Sequence, residues 1–460
     1  MTNKKGSVCM KTTNDLTKGS PVKHILKFAL PTLVGLLFQQ LYNMADTMIV
    51  GKWLGVDALA AVGSVGSLNF MVIGFCIGVC AGFSIPVSQQ FGAGDYHKLR
   101  KFVANSVWVS VVLSAVMTAL VCIFCREILV VMKTPENIID GAYSYIFIIF
   151  LGIPVTYLYN LLSGIIRALG DSQTPVYFLL ISSVINVVLD IVSIKVFNMG
   201  TAGPAVATVI SQAVSGILCL IFMVKNYSVL HITKSEWKPD KECIYGLFKN
   251  GIPMGLQYSI TAIGSVVLQS SVNSISSAAV AAVTAGSKIN MFFCCPFDAL
   301  GSTMATYAGQ NIGARKPQRI SKGIRSAIMI GSVYAVAACV FLVFFGKTLA
   351  LLFMDSDETA ILEMAKKFIT VSSMFYIPIA ILNTTRFTVQ GMGYSSLAVL
   401  AGVCEMVARC IMGFVLVPKF GFVCVCFASP LAWVAADLFL VPTLFICIKT
   451  KKKQLTPSAA

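Results

Sequence analysis

The stretch AAVGSVGSLNFM, residues 60–71, comes back in the second half of the chain as AAVTAGSKINMF, residues 281–292, with Asn69 set against Asn290. Its neighbours come back too, in order and at an offset near 222. KFALP (27–31) matches KNGIP (249–253), and SQQFGAGD (88–95) matches GQNIGARK (309–316). Farther on, the Ile-Pro pair at 153–154 matches 377–378, and RALGDSQ (167–173) matches QGMGYSS (390–396). One such match arises by chance. An ordered series at nearly constant offset marks a duplicated unit.

The unit is a set of membrane-spanning helices. The 460 residues are 57% hydrophobic and 12% charged, whereas a soluble globule carries about one-quarter charged residues. Most of the surface must therefore face lipid. Apolar runs fall at 25–50, 57–88, 102–125, 142–168, 174–197, 203–224, 250–275, 278–312, 324–345, 364–390, 394–417 and 420–448. Each has the length of a spanning helix, about 20 residues, and none shows the two-residue alternation of a porin-like barrel. The expected fold is an all-α polytopic membrane protein with twelve transmembrane helices in two six-helix lobes. Six is even, so both copies insert the same way, and a pseudo-twofold axis along the membrane normal should relate them. The expected division is a cytoplasmic N-terminal segment at 1–24, an N-lobe at 25–225, a cytoplasmic linker at 226–249, a C-lobe at 250–448 and a basic cytoplasmic tail at 449–460.

The net charge of +16 is distributed by topology. Twenty-four Lys and Arg fall in the termini and in one alternating set of connections, among them Lys98, Arg100, Lys101, Lys234, Arg315, Arg319 and Lys451. Only eight fall in the other set, among them Lys52, Arg126, Lys195 and Lys347. By the positive-inside rule both termini are cytoplasmic, in a multi-pass protein of the cell membrane. The basic charge then serves orientation and anionic lipid, and no nucleic-acid partner is expected. The first twenty residues are polar and show no cleavable signal. Cys122 and Cys125 form a lone CxxC inside a run and read as small core residues rather than a metal site.

Five acids lie well inside the runs: Asp46, Asp190, Asp298, Glu405 and Asp437. Such residues are functional candidates, with helix packing as the ordinary alternative. In QQLYNMADTMIVG (39–51), Gln39, Asn43 and Asp46 are spaced i, i+4, i+7 and share one helix face. In SSVINVVLDIVSI, Asn186 and Asp190 are spaced i, i+4. The N-lobe has no Lys or Arg in mid-span to neutralise either acid. Two such carboxylates can take up a proton, or they can hold a hard cation among oxygen ligands. In the C-lobe, Glu405 and Arg409 are spaced i, i+4 and can pair. Asp298, Glu405 and Arg409, with Asn43, are candidates for a substrate or gating role.

The repeat, KFALP near the start, ADTMIVGKWLG in the first helix and GQNIGA in the eighth together resemble the multidrug and toxic compound extrusion (MATE) family, in its prokaryotic DinF-like type. The resemblance covers about residues 20–450. It implies efflux of organic cations and amphipathic compounds, driven by sodium ions or protons. It also implies an N-lobe cation-coupling network, matched here by Gln39, Asp46, Tyr145, Asn160, Asn186, Asp190 and Thr208. If sodium is the coupling ion, Asp46, Asn186, Asp190 and Thr208 would be its ligands. NorM-like members carry acids on helices 7 and 10, and those helices have none here (GLQYSITAIGSVVLQSSV and FITVSSMFYIPIAILNTT).

The alternative transporter reading is a flippase for lipid-linked sugars, which would need a basic cavity for pyrophosphate. An integral-membrane enzyme is not expected, since no HExxH, Gx4GK[ST] or paired-His cluster occurs. No cofactor beyond the coupling ion is expected. One chain supplies both lobes, so a monomer is expected.

Overall fold

Within lipid, backbone polar groups must be paired inside the segment that carries them. The chain accordingly folds as helices, with no strand among the described residues. The computed structural model describes residues 14–132, 134–353 and 358–455. Residues 1–13 and 456–460 of the expected terminal segments, with Lys4, Lys5 and Lys11, lie outside this range, as does Lys133.

The first half runs α1 (Pro21–Leu54), a short α2 (Val56–Ser64), α3 (Gly66–Ala93), α4 (Tyr96–Ile123), a short α5 (Cys125–Val131), α6 (Glu136–Leu151), α7 (Ile153–Ala168), α8 (Gln173–Lys195) and α9 (Ala202–Asn226). The second half runs α10 (Lys241–Asn273), α11 (Ser277–Gly313), α12 (Pro317–Ala350), α13 (Thr359–Met374), α14 (Tyr376–Gly391), α15 (Ser395–Ile411), α16 (Val417–Phe420) and α17 (Phe422–Leu455). A π turn, Met412–Leu416, joins α15 to α16. Among the described residues ten helical segments are long and apolar enough to span a membrane alone, and the total is twelve if the bent pairs α6–α7 and α13–α14 each count as one span. The bends, 46° and 51°, share a cause. Pro154 and Pro378 have no N–H to give the carbonyls of Phe150 and Met374, so the helix breaks just before each. This is the repeated Ile-Pro pair.

Two boundaries differ from the apolar runs. The run at 57–88 is two helices broken at Val65. The expected linker loses its last residues to α10, because the Asp240 side chain accepts from the Glu242 and Cys243 N–H groups and caps the helix there. Hydropathy marks the lipid-facing part of a helix, while caps set its ends.

The lobes meet through small residues. α3 packs along α10, and a Cβ on Gly82 would overlap the Gly251 Cα and the Asn250 carbonyl. Gly78 stands in the same relation to Met254 and Gly255. Backbones this close require glycine, as at small-residue crossings in membranes. α1 packs on α8 in one lobe and on α11 and α12 in the other.

On the face where α1 begins and α17 ends, the terminal face, the lobes are tied together. Gln310 Nε2 donates to the Ala168 carbonyl at 2.9 Å, and Gln89 Nε2 donates to the Gly391 carbonyl at 3.0 Å. A Cβ on Gly92 would overlap the Gln310 carbonyl, and one on Gly313 the Gln89 carbonyl. These four residues are the Gln and Gly of the repeated SQQFGAGD and GQNIGARK, so the repeat is where the two lobes touch. Residues 14–20 lie across the contact as a strap. Asn14 Nδ2 donates to the Gly170 carbonyl at 3.1 Å, and the Leu16 N–H donates to Gln310 Oε1 at 3.0 Å. Arg319 donates from both terminal nitrogens to the Gly19 carbonyl at 3.1 Å.

The connection between the halves is fixed to α4. Glu236, 1% exposed, accepts from Arg100 Nε at 2.9 Å and sits 2.8 Å from His97 Nδ1. The Arg100 guanidinium holds the Glu236 carboxyl down at about 2. Trp108 Nε1 donates to the Trp237 carbonyl at 3.1 Å.

Candidate functional site

The seven N-lobe residues named from sequence converge. α1 brings Gln39 and Asp46, α6 brings Tyr145, α7 brings Asn160, α8 brings Asn186 and Asp190, and α9 brings Thr208. The i, i+4 spacing puts Asn186 and Asp190 on the buried face of α8, with Asp190 fully buried and Asn186 2% exposed. α1 packs against that face and brings the Asp46 carboxyl into electrostatic reach of that of Asp190. Tyr145, 8% exposed, stands in the electrostatic field of both carboxyls. Asn186 Nδ2 approaches Thr208 Oγ1 at 3.4 Å. Asn186 Oδ1 and both Asp190 oxygens are buried with no hydrogen-bond partner among the described residues. No base faces the acid pair. Two carboxyls in electrostatic reach of one another in a low-dielectric interior strongly resist carrying two charges at once, so the pair is built to accept a positive charge.

Beside the pair lies a cavity of about 50 Å³, lined by Gln39, Tyr42, Asn160, Asn186 and Thr208 together with residues the sequence reading missed. Tyr42 stands with Gln39 on the α1 side of the cavity. Thr156 Oγ1 donates to Gln212 Oε1 at 3.0 Å. Ser182, Ser183, Ser211 and Ser215 complete the wall. Their signal was available: 182, 183, 186 and 190 on α8, and 208, 211, 212 and 215 on α9, are polar stripes at helical spacing. The volume has room for roughly three or four waters, and so for a small ion rather than a dye-sized compound. Asn43, one position off this wall, is exposed.

The C-lobe candidates form a different arrangement. Glu405, 2% exposed, lies between two buried arginines. Arg409, its expected partner on α15, reaches it only at 3.5 Å. Its principal hydrogen bond comes from Arg386 on α14. Asp298 Oδ1 accepts from Asn383 Nδ2 at 2.8 Å. Thus Asp298 and Glu405 have hydrogen-bond partners, whereas Asp437 Oδ1 and both Asp190 oxygens are buried with none among the described residues. Among the described residues no cluster of three His, Cys, Asp or Glu could hold a metal, and Cys122 and Cys125 are free thiols.

The sequence model described as MatE matches the chain twice, at residues 31–192 and 253–415. The second match begins 222 residues after the first, at the offset of the internal echo. The chain is 30% identical over 372 residues to "Probable multidrug resistance protein YoeA" of Bacillus subtilis, covering 79% of this chain and 80% of that one. It is 25% identical over 378 residues to "FAD transporter" of Shewanella oneidensis, covering 81% and 82%. A solved structure described as the outward-facing conformation of a multidrug resistance MATE family transporter superposes with a TM-score of 0.88 at 23% identity, covering 96% of this chain and 99% of that one.

Proposed function

This chain belongs to the MatE family and is a transporter rather than an enzyme; we propose that it exports organic cations and amphipathic compounds by antiport with sodium ions or protons. The observation that carries this reading is the Asp46–Asp190 pair, with Asp190 fully buried and Asp46 half-buried, the two carboxyls in electrostatic reach of one another and no basic neighbour among the described residues. The name of the Bacillus subtilis relative supports the multidrug cargo. The charge distribution supports a cell-membrane location with the terminal face cytoplasmic.

The mechanism is alternating access. With the terminal face tied, the molecule is closed on the cytoplasmic side. A proton, or a sodium ion held by Asp46, Asp190, Asn186 and Thr208, neutralises the pair. Neutralisation lowers the cost of enclosing those carboxyls and favours the state in which the Gln310–Ala168 and Gln89–Gly391 contacts part. The ion then leaves inward and cytosolic substrate binds. Export requires that ion and substrate favour different states. A flippase for lipid-linked sugars is less well supported, because Arg386 and Arg409 are buried against Glu405 rather than free for pyrophosphate.

The test is efflux of ethidium from proteoliposomes under separately imposed sodium and pH gradients. Export driven by either gradient supports antiport and names the ion. Export driven by neither removes the reading.

A further inference from the structure

The cavity beside the acid pair has an unusual wall. Ser182 and Ser183 both donate their hydroxyl protons to the Leu179 carbonyl, at 2.9 and 2.8 Å. Ser211 donates to the Thr208 carbonyl at 2.9 Å, and Ser215 to the Phe178 carbonyl at 3.0 Å. A hydroxyl that has given its proton to the backbone can only accept. The four serine oxygens are therefore acceptors toward the cavity. Asn160 gives one of its two Nδ2 protons to the Thr156 carbonyl at 2.8 Å and keeps Oδ1 as an acceptor. Asn186 gives its Nδ2 to Thr208 and keeps a buried, unpartnered Oδ1. The donors that remain are the Gln39 and Gln212 amides, the second N–H of Asn160 and of Asn186, the Thr208 hydroxyl and the tyrosine hydroxyls. The serine oxygens suit a cation or a water that donates.

The wall also has a direction. On α8 the step from Asp190 back to Ser182 covers about 12 Å toward the terminal face, at about 1.5 Å per residue. On α9, Thr208, Ser211 and Ser215 descend the same way, and on α7 so do Thr156, Asn160, Ser163 and Arg167. Arg167 donates to Ser163 Oγ at 3.2 Å and lies in electrostatic range of Tyr159 and Cys219. The polar column thus starts at the acid pair and ends at a guanidinium near the terminal face, inside one lobe.

We propose that this acceptor-lined column is a cation passage within the N-lobe, by which the coupling ion leaves the acid pair for the terminal face without entering the space between the lobes. Arg167 sets a positive charge at its end, which opposes free entry of cations from that side. The inference rests on the antiport reading and adds a route to it. Sodium and hydronium share the chemistry the wall selects, so both are tested.

The experiment separates ion binding from ion passage. The double variant Ser211→Ala/Ser215→Ala removes two acceptors from α9 with helix-compatible residues, and Ser182→Ala/Ser183→Ala does the same on α8, so that one pair remains if the other does not fold. Ion binding is measured on purified protein, with radioactive sodium at fixed pH and with proton uptake in sodium-free buffer. Turnover is measured in proteoliposomes under the matching gradient. The passage predicts turnover lower by about tenfold, the loss from one poorly replaced ligand in the rate-setting step, with ion affinity nearly unchanged. Wild-type turnover in both variants overturns it. Turnover and affinity falling together also overturns it, since the serines would then be ligands of the bound ion. If the native protein binds neither ion, the antiport reading fails and the passage has nothing to carry. Loss of binding in Asp46→Asn alone leaves the antiport reading standing and isolates the serine result.

Discussion

Replacing Glu405 by Gln should destabilise the C-lobe more than any exposed substitution. Glu405 is 2% exposed and accepts from Arg386 and Arg409, themselves 7% and 6% exposed. Glutamine keeps the volume and removes the only carboxylate in contact with either arginine among the described residues. Arg386 then has Asp437 and Asp298 within electrostatic reach, but Asp298 is already engaged by Asn383. Stranding one side of a buried ion pair costs about 3–5 kcal/mol. With an unfolding entropy of about 2.1 cal/mol/K per residue, a chain this long loses about 4 °C in melting temperature. Helices that survive unfolding in detergent lower that entropy and enlarge the shift. The assay is thermal unfolding of purified protein followed with a thiol-reactive dye, since Cys295, Cys426 and Cys447 are buried until the C-lobe opens. Adding Arg386→Met to Glu405→Gln removes one stranded charge and should recover part of the loss. A Glu405→Gln protein that melts at the wild-type temperature would refute the claim that this carboxylate neutralises the arginines.

Other expectations follow from the same contacts. Gly82→Val should prevent α3 and α10 from meeting, read as loss of monodisperse protein on size exclusion, with Gly82→Ala intermediate. Arg319→Ala should release the strap from Gly19 and weaken the terminal-face closure by about 1.4 kcal/mol, a tenfold change in the closed-to-open ratio. Spin labels at Tyr96 and Lys322 would report it as a longer-distance population. Glu236 has a folded value lowered to about 2, chiefly by its hydrogen bond with Arg100, from an ordinary 4.5. A depressed carboxyl stabilises the fold above its unfolded value and loses that contribution as pH falls toward the folded one. The tie between the linker and α4 should therefore weaken between about pH 4.5 and 2, seen as rising protease cleavage near Trp237. In Glu236→Gln the cleavage should no longer depend on pH in that window.

The two six-helix units were legible because duplication and hydropathy are local to the sequence, whereas the contact of the lobes at Gln89 and Gln310 emerged only from the packing. The acid pair was legible as two separate helix faces, Gln39–Asp46 and Asn186–Asp190. Their meeting depends on α1 packing against α8, which spacing alone cannot state. The resemblance supplied Tyr145, Asn160 and Thr208. The serines of the cavity escaped because a hydroxyl in a membrane helix ordinarily satisfies itself on its own backbone, as Ser182, Ser183 and Ser211 do. Their role emerges only when α8 and α9 turn them toward one space. Of the two arginines that pair with Glu405, only Arg409 was legible from spacing. The i, i+4 rule favours Arg409, but the nearer guanidinium comes from Arg386 on another helix.

The central claim is that Asp46 and Asp190 couple ion entry to substrate exit. The most direct measurement records both fluxes in the same proteoliposomes, ethidium leaving and the driving ion entering, for the native chain and for Asp46→Asn and Asp190→Asn inserted at equal density. The account predicts that the native protein moves the two in fixed proportion and that each variant, still inserted and monodisperse, loses the ion flux and the gradient-driven dye flux together. Gradient-driven dye export persisting in both variants, with the ion flux intact, would contradict it.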